Sequence, residues 1–262
     1  MPPERDWREP PDEARDAALQ YSDIAIGYLG RNARYRDDYR RALARVKGGA
    51  ISADDATAGL VQRWGMSFHA APASAYNRRH AVARPDLSSA AIVLAPAPPG
   101  IGATLAFDLP KLGDIRARIR ARIRIDDFLH IILADTEGDE HLCIYGSPDL
   151  TKTMMLVIGT DPLARLDSAA RLCRRLLGMP AGPPLRPPPF RREHLLALLQ
   201  ALDGQQAGAT QRELAASLIH RKVHRYTNAE WIESKERKRI RRWLKEAIEL
   251  RDGGYLGLLR GG

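Results

Sequence analysis

The sequence predicts an α+β protein with N-terminal helices, a small central antiparallel sheet and a C-terminal tri-helical unit. Three observations support this fold class. Apolar residues recur at helical spacing in about the first 65 residues and again after about residue 160. Between them lie short apolar runs of β type, separated by turns rich in Pro, Gly and Asp. A proline-rich stretch then divides the C-terminal helices into two groups.

Composition limits the class of protein. The chain has 262 residues, of which 44% are hydrophobic, so it can build a core in one large or several small domains. Its two cysteines, Cys143 and Cys173, exclude a disulfide framework and favour a reducing cytoplasm. No apolar run approaches about 18 residues, and the polar start is unlike a signal peptide, so we expect a cytoplasmic protein without a membrane partner.

The positive charge is concentrated near the C-terminus. Residues 191–262 carry 15 Lys and Arg against 9 Asp and Glu, a net charge of +6. Because the whole chain has a net charge of +9, only +3 is left for the other 190 residues. A basic surface favours an acidic partner, most often nucleic acid, and it should lie in this last part of the chain.

The first domain is expected at residues 1–70. Its helical pattern runs from Asp12 to Lys47 with an interruption at Asn32, a residue type that often begins a helix. The positions at helical spacing are Tyr28, Tyr35, Tyr39, Leu43 and Val46. A further helix is expected between Ser52, as N-cap, and Gly65.

The central sheet is expected at residues 85–160. Its strands are predicted by the runs SAAIVLA, ATLAFDL, DDFLHIILAD, EHLCIYG and TMMLVIGT. The clearest hairpin joins HIILAD to HLCIYG. Residues 111–126 alternate Ile with Arg at mixed periods, and both a helix and a strand with one basic face fit this segment.

The third domain is expected at residues 161–262. A helix in DPLARLDSAARLCRRLLG would place Leu163, Leu166, Ala170, Cys173 and Leu177 on one face. Residues 179–190 contain six prolines, which exclude a helix or a central strand and predict a stiff extended linker.

Three helices are predicted after this linker. The first carries Leu195, Leu198, Leu199 and Leu202 on one side. The second begins with a capping box of Thr210 and Glu213, in which each side chain satisfies a backbone donor of the other. The third begins near Glu233. This order, with a Gly-Ala-Thr turn before the second helix, is typical of a helix-turn-helix-like unit.

The third helix has two opposed faces on a helical wheel. Its apolar stripe is Ile240, Trp243, Leu244 and Ala247. Its basic face is Lys235, Lys238, Arg242 and Lys245. A DNA-reading helix needs one face packed on its scaffold and the other open to phosphates and base edges. A solvated surface helix partly neutralised by Glu236 is the other interpretation, and the capped helix beside it favours nucleic acid.

The segment before the third helix departs from a compact helix-turn-helix. Residues 220–234 are far more than the usual three or four turn residues. They fit either a short extra helix around Asn228 to Ile232 or a basic loop that adds backbone contacts.

Other constellations favour structural roles. The group Asp135, Glu137, Asp139, Glu140 and His141 is typical of an acidic hairpin tip, without calcium-loop spacing. The motif PPGIGAT lacks the lysine of a phosphate-binding loop, and no histidine pairs with Ser or Cys in a known catalytic motif. We therefore predict no catalytic residues, no metal and no cofactor.

Stretches near both ends of the chain resemble known regulators. GATQRELAASL, RKRIRRWLKEAIEL and RDGGYLGLLRGG resemble the helix-turn-helix variant of regulators of bacterial integrative and conjugative elements. That family comprises excision/transfer activators and antiactivators, and it was long catalogued as a domain of unknown function. The N-terminal YLGRNARYRDDYRRA looks like the small transcriptional-regulator domain that often precedes it. The resemblance implies transcription control through DNA contact by the C-terminal domain.

We therefore expect a DNA-binding transcriptional regulator of excision and transfer genes. Its partners would be double-stranded DNA and, in addition, a second regulator or RNA polymerase. The alternative is an antiactivator that binds and masks another regulator. The expected DNA-binding residues are Gln211, Arg212, Arg221, Lys222, Lys235, Lys238, Arg239, Arg241, Arg242 and Lys245.

Overall fold

The computed structural model describes residues 6–9, 16–68, 81–100, 118–134, 138–146, 152–158 and 161–261. Parts of four expectations fall outside these ranges: the beginning of the helical pattern at residues 12–15, the strand at 103–109, the part of the Ile/Arg segment before residue 118, and Asp135 and Glu137 of the hairpin tip. Across the described ranges, no helix combines the length and apolar character needed to span a membrane.

Within the described ranges, the N-terminal part contains α1 (Tyr21–Leu29), α2 (Ala33–Lys47) and α3 (Ala53–Trp64). The predicted break at Asn32 is confirmed, because its side chain accepts hydrogen bonds from the backbone N–H groups of Arg34 and Tyr35 and so begins α2. Ser52 caps α3 in the same way. Gly65 ends α3 with φ +73°, a left-handed conformation that favours glycine.

The strands form two sheets. A two-residue pair joins β1 (Met66–Ser67) to β2 (Val82–Ala83). The larger sheet contains β3 (Ala91–Pro96), β4 (Ile119–Ile125), β5 (Phe128–Leu133), β6 (Glu140–Tyr145) and β7 (Lys152–Met155). Its order is β4-β5-β6-β3-β7. The predicted hairpin of β5 and β6 is confirmed. Three of the four pairings are antiparallel as expected, and β3 pairs with β6 in parallel.

The Ile/Arg segment is a strand where it is described. Strand β4 lies at the edge of the sheet and turns into β5 through Asp126, which has φ 50°. Ile123 and Ile125 are buried, whereas Arg122 and Arg124 between and beside them are exposed. This alternation has the period of two that a half-buried strand requires. Charged residues on an edge strand also discourage pairing with other chains.

Helix α4 (Pro162–Leu176) packs on the sheet with a face that its apolar pattern does not indicate. Leu163 is 71% exposed and Leu177 is 67% exposed, while Arg165, Ser168 and Arg171 are buried with Ala164 and Leu172. Backbone carbonyl groups of residues 85 and 86 explain this orientation. Arg165 donates to the carbonyls of Pro85 and Asp86, at 3.0 and 2.8 Å. Buried polar side chains need such partners, and here the partners select the buried face.

A buried carboxylate fixes α4 to the sheet. Glu140 on β6 is 4% exposed, and its oxygens lie 3.5 Å from Nη2 of Arg171 and 3.0 Å from Nε of Arg175. One carboxylate therefore pairs with two guanidinium groups where little water can reach them. An ion pair in this setting determines which surfaces meet, because neither partner can be buried alone.

The remaining helices follow the proline-rich stretch. They are α5 (Pro189–Gln206), α6 (Gln211–Leu218), a 3-10 turn (Arg221–Arg225), α7 (Asn228–Glu233), α8 (Lys235–Glu249), a π turn (Leu250–Gly254) and α9 (Tyr255–Leu258). Residues 179–188 are neither helix nor strand, as predicted. The prediction is wrong for residues 189 and 190, which begin α5, because proline is tolerated in the first turn of a helix. Residues 179–188 are not a bare spacer, because Ala181, Pro184 and Pro187 are buried.

One hydrophobic core joins the two ends of the chain. It contains Trp7, Tyr28 and Leu29 from the N-terminal part together with Leu195, Leu202, Trp243 and Tyr255 from the C-terminal part. A separate apolar cluster lies between the sheet and Leu172 of α4. The N-terminal and C-terminal helices therefore pack against each other around a shared core.

Candidate nucleic-acid interface

Helix α8 has the two faces that the helical wheel predicts. Ile240 and Ala247 are 0% exposed, and Trp243 and Leu244 are at most 5% exposed. The four residues of the opposite face are exposed along its length: Lys235, Lys238, Arg242 and Lys245. Because the apolar face packs against α5 and α6, the basic face points away from the scaffold.

The ion pair on α8 is weak. Nζ of Lys245 lies 3.9 Å from Glu249, and these side chains are 80% and 64% exposed. Exposed pairs of this kind are screened by water and salt and hold neither partner firmly. Lys245 can therefore exchange Glu249 for a phosphate at little cost.

The start of α8 is set by Ser234. Its hydroxyl accepts a hydrogen bond from the backbone N–H of Arg237 at 3.1 Å. The same residue ends α7, so the two helices are separated by one extended residue with ψ 147°. This sharp break leaves Lys235 and Lys238 exposed at the beginning of α8.

Helix α6 begins with the predicted capping box. The backbone N–H of Glu213 donates to the hydroxyl of Thr210 at 3.2 Å, and the backbone N–H of Thr210 donates to the Glu213 carboxylate at 2.7 Å. The hydrogen bonds from Thr210 lower the pKa of Glu213. A second box of the same kind, Thr227 with Glu230, begins α7.

The long segment before α8 is structured. Of the two alternatives, a short extra helix is found at Asn228–Glu233, preceded by the 3-10 turn. Val223 is buried in that turn, while Arg221, Lys222, His224 and Arg225 are exposed on it. The unit therefore keeps its three main helices, and an ordered basic connection replaces the usual short turn.

Arg212 supports this connection. Its guanidinium donates to the carbonyl of Val223 at 3.3 Å, to that of His224 at 3.4 Å and, at short range, to that of Tyr226. It also reaches Oδ1 of Asn228 at 3.5 Å. Arg212 is half-buried, whereas the other nine predicted DNA-binding residues are exposed. Its hydrogen bonds therefore connect α6 to the 3-10 turn and Tyr226.

Arg239 is held by an aromatic ring. Its Cζ lies 4.6 Å from the centre of the Trp243 ring, within the range of a cation–π contact. The ring in turn packs edge-on against His194 of α5, and Nε2 of His194 lies 3.1 Å from the carboxylate of Glu246. These contacts fix α8 against α5 and orient one arginine beside the basic face.

The N-terminal part contacts the C-terminal helices through polar residues that the sequence analysis did not assign to a site. The hydroxyl of Tyr28 donates to the carbonyl of Leu195 at 2.7 Å. Arg31 forms a bidentate ion pair with Asp203. The Asn32 amide donates to the carbonyl of Arg251 at 3.2 Å. All three residues lie in the short stretch YLGRN.

Comparison with known families agrees with this architecture. Residues 154–260 match the family model described as "T6SS, Transcription factor, DNA binding domain". Residues 6–69 match "Proteobacterial transcriptional regulator-like domain", and residues 90–149 match "Domain of unknown function (DUF7012)". No curated protein is a significant match.

The two regulator matches indicate a DNA-binding transcriptional regulator. The resemblance of the N-terminal part to a transcriptional-regulator domain is confirmed. The match over residues 154–260 includes α5, α6 and α8, so it covers the basic helix and its scaffold.

Proposed function

We propose that α8 is the helix with which this regulator reads DNA. The observation that carries the proposal is the separation of its faces, with Ile240 and Trp243 packed inward and Lys238 and Arg242 exposed outward. The major groove of DNA admits one α-helix whose outer side chains meet phosphates and base edges. The inner face of α8 is occupied by its scaffold, so only the basic face is available for the groove.

Arg239 and Arg242 are proposed as the base-reading residues. Arginine suits this role because its planar guanidinium can donate two parallel hydrogen bonds to the O6 and N7 atoms of guanine. The stack on Trp243 restricts the motion of Arg239 before DNA binds, which lowers the entropy lost on binding. Arg242 lies on the exposed centre of the basic face.

The remaining exposed residues are proposed as phosphate contacts. They comprise Lys235, Lys238 and Lys245 on the basic face, Arg241 beside it, Gln211 at the start of α6, and Arg221 and Lys222 on the 3-10 turn. Backbone contacts of this kind position a protein on the duplex without reading sequence. Arg212 contributes by holding the turn that presents Arg221 and Lys222.

We further propose that the controlled genes are excision and transfer genes of a mobile conjugative element. This part rests on the resemblance of GATQRELAASL and RKRIRRWLKEAIEL to regulators of such elements. Chromatin immunoprecipitation of the tagged full-length protein tests it. Enrichment of promoters of excision or transfer genes supports the proposal, and enrichment confined to unrelated promoters contradicts it.

Fluorescence anisotropy with labelled duplex DNA tests the DNA-reading role of α8. If each of the six Lys and Arg residues proposed as phosphate contacts neutralises one phosphate, log affinity should fall with log salt concentration with a slope of about −5.4. The double variant Lys238→Ala/Arg242→Ala should weaken binding at least about tenfold and make the slope shallower. The matched control is Arg45→Ala/Lys47→Ala, which also removes two exposed positive charges but from α2.

The control separates local contact from overall charge. Equal losses in the two double variants, or an affinity that does not change with salt, would overturn the proposal. A pull-down from a cell lysate with the tagged protein tests the alternative that the protein masks another regulator. Capture of a regulator by the wild type but not by the α8 double variant, without binding of the labelled duplex DNA, would favour an antiactivator.

A further inference from the structure

Three side chains with metal-binding atoms meet on one face of the central sheet. His130 on β5 and Cys143 on β6 are register partners across the antiparallel pair. His141 lies two residues before Cys143 on the same strand, so its side chain is on the same face. Nδ1 of His130 lies 2.9 Å from Nε2 of His141, and Sγ of Cys143 lies 3.5 Å from each of these nitrogens.

We propose that His130, His141 and Cys143 form a zinc site with two nitrogen ligands and one sulfur ligand. With Zn–N bonds of about 2.0 Å and Zn–S bonds of about 2.3 Å, tetrahedral ligands lie about 3.5 Å apart for N and S and about 3.3 Å apart for N and N. The observed N–S distances agree with this geometry. The N–N distance of 2.9 Å corresponds to an N–Zn–N angle of about 90°.

The triangle has the right size for an ion. From its three edges, the point equidistant from all three atoms lies about 1.9 Å from each, slightly less than zinc bond lengths of about 2.0–2.3 Å. A zinc ion would therefore sit just above the plane of the ligands. Three protein ligands leave a fourth tetrahedral position for water or another donor.

The donor set selects a transition metal over magnesium or calcium. Mg²⁺ and Ca²⁺ prefer oxygen ligands, whereas imidazole and thiolate suit Zn²⁺. Zinc binds the neutral form of imidazole and the deprotonated form of a cysteine thiol. The ion would displace the Cys143 thiol proton to solvent as the Zn–S bond forms, with no change in oxidation state.

The site is enclosed but has a route for entry. His130 is 2% exposed and Cys143 is 0% exposed, whereas His141 is half-buried. His141 lines a cleft together with Gln20, Met66 and Ile132, between the N-terminal helices and the sheet. An ion bound here would join β5 to β6 at the place where the sheet meets the N-terminal part, and this would stabilise both.

Cobalt substitution of the full-length protein tests the site directly. After treatment with a chelator, the protein should bind one equivalent of Zn²⁺ in calorimetry and one equivalent of Co²⁺ in optical titration. A tetrahedral site with sulfur should give a thiolate-to-cobalt charge-transfer band. Cys143→Ser and His141→Gln should each abolish stoichiometric binding, and Cys173→Ser, which changes the exposed cysteine outside the triangle, should preserve it.

Wild-type protein alone can overturn the proposal. Absence of the charge-transfer band together with absence of stoichiometric Zn²⁺ binding means that the three groups are only a packed, hydrogen-bonded cluster. A band that survives Cys143→Ser but is lost in Cys173→Ser also contradicts the assignment. Circular dichroism checks that each variant is folded, and His141→Gln, at the half-buried position, serves if Cys143→Ser does not fold.

Discussion

Arg31, which follows α1, and Asp203 of α5 form a bidentate ion pair although 172 positions separate them in the chain. Their side chains are 22% and 10% exposed. Arg31 also donates to the carbonyl of Gly27 at 2.6 Å, so its guanidinium is fixed from two sides. The N-terminal helices thus contact α5, the helix against which α8 packs.

Arg31→Ala should lower the free energy of unfolding by about 2–3 kcal/mol, because it leaves the Asp203 carboxylate buried without its partner. Urea denaturation measures this change. The control is Arg40→Ala, since its pair with Asp37 has side chains that are 77% and 46% exposed. Exposed pairs contribute little, so the control should change stability by about 0.5 kcal/mol or less. Equal effects of the two substitutions would mean that the pair between the two ends is not structural.

Gly204→Ala should destabilise the protein even though alanine is the better helix former. A Cβ at this position would collide with Leu214 of α6 and would lie 2.9 Å from Cδ2 of Trp7. We expect a loss of about 1–3 kcal/mol from overpacking, measured by thermal or urea unfolding. Gly59→Ala on α3 is the matched control, because nothing lies within 4 Å of a Cβ there. It should be stabilising by up to about 1 kcal/mol.

Arg212→Ala should weaken DNA binding without changing its salt dependence. The substitution removes the donors that hold the carbonyls of Val223, His224 and Tyr226, so amide protons of residues 221–228 should exchange faster. Lys222→Ala is the companion variant: as a phosphate contact, it should make the salt slope shallower by about 0.9. A reduced slope for Arg212→Ala would instead indicate direct phosphate contact.

Glu140→Ala should be among the most destabilising single substitutions in the sheet. It would leave Arg171 and Arg175 without the carboxylate they share, at positions that are 6% and 17% exposed. We expect a loss of about 3–5 kcal/mol in the free energy of unfolding. Glu249→Ala, which removes the exposed partner of Lys245, should cost about 0.5 kcal/mol or less. A loss below about 1 kcal/mol for Glu140→Ala would show that α4 is held by apolar contacts instead.

Local features of the fold could be predicted from the sequence because local physics controls them. The capping residues Asn32, Ser52 and Thr210 begin helices where expected, since a side-chain acceptor satisfies backbone donors only a few residues away. The faces of α8 follow from its period of 3.6 residues, which needs no knowledge of other elements. The hairpin of β5 and β6 was predictable for the same reason, because its strands are consecutive.

Features that depend on distant partners could not be predicted in this way. The buried face of α4 was not indicated by its apolar residues, because buried carboxylate and carbonyl partners of Arg171 and Arg165 decided the orientation. The parallel pairing of β3 with β6 leaves no local signal, and neither do the hydrogen bonds that Arg212 donates.

The sequence by itself determined the three main helices after the linker, the caps at Asn32, Ser52 and Thr210, the hairpin of β5 and β6 and the basic face of α8. Each of these depends on residues within a few turns or one loop. Only the tertiary structure joined the two ends of the chain into one core and placed His130 beside Cys143. The reason is physical: strand register and helix packing are set by the sum of many long-range contacts, and no short pattern in the chain encodes that sum.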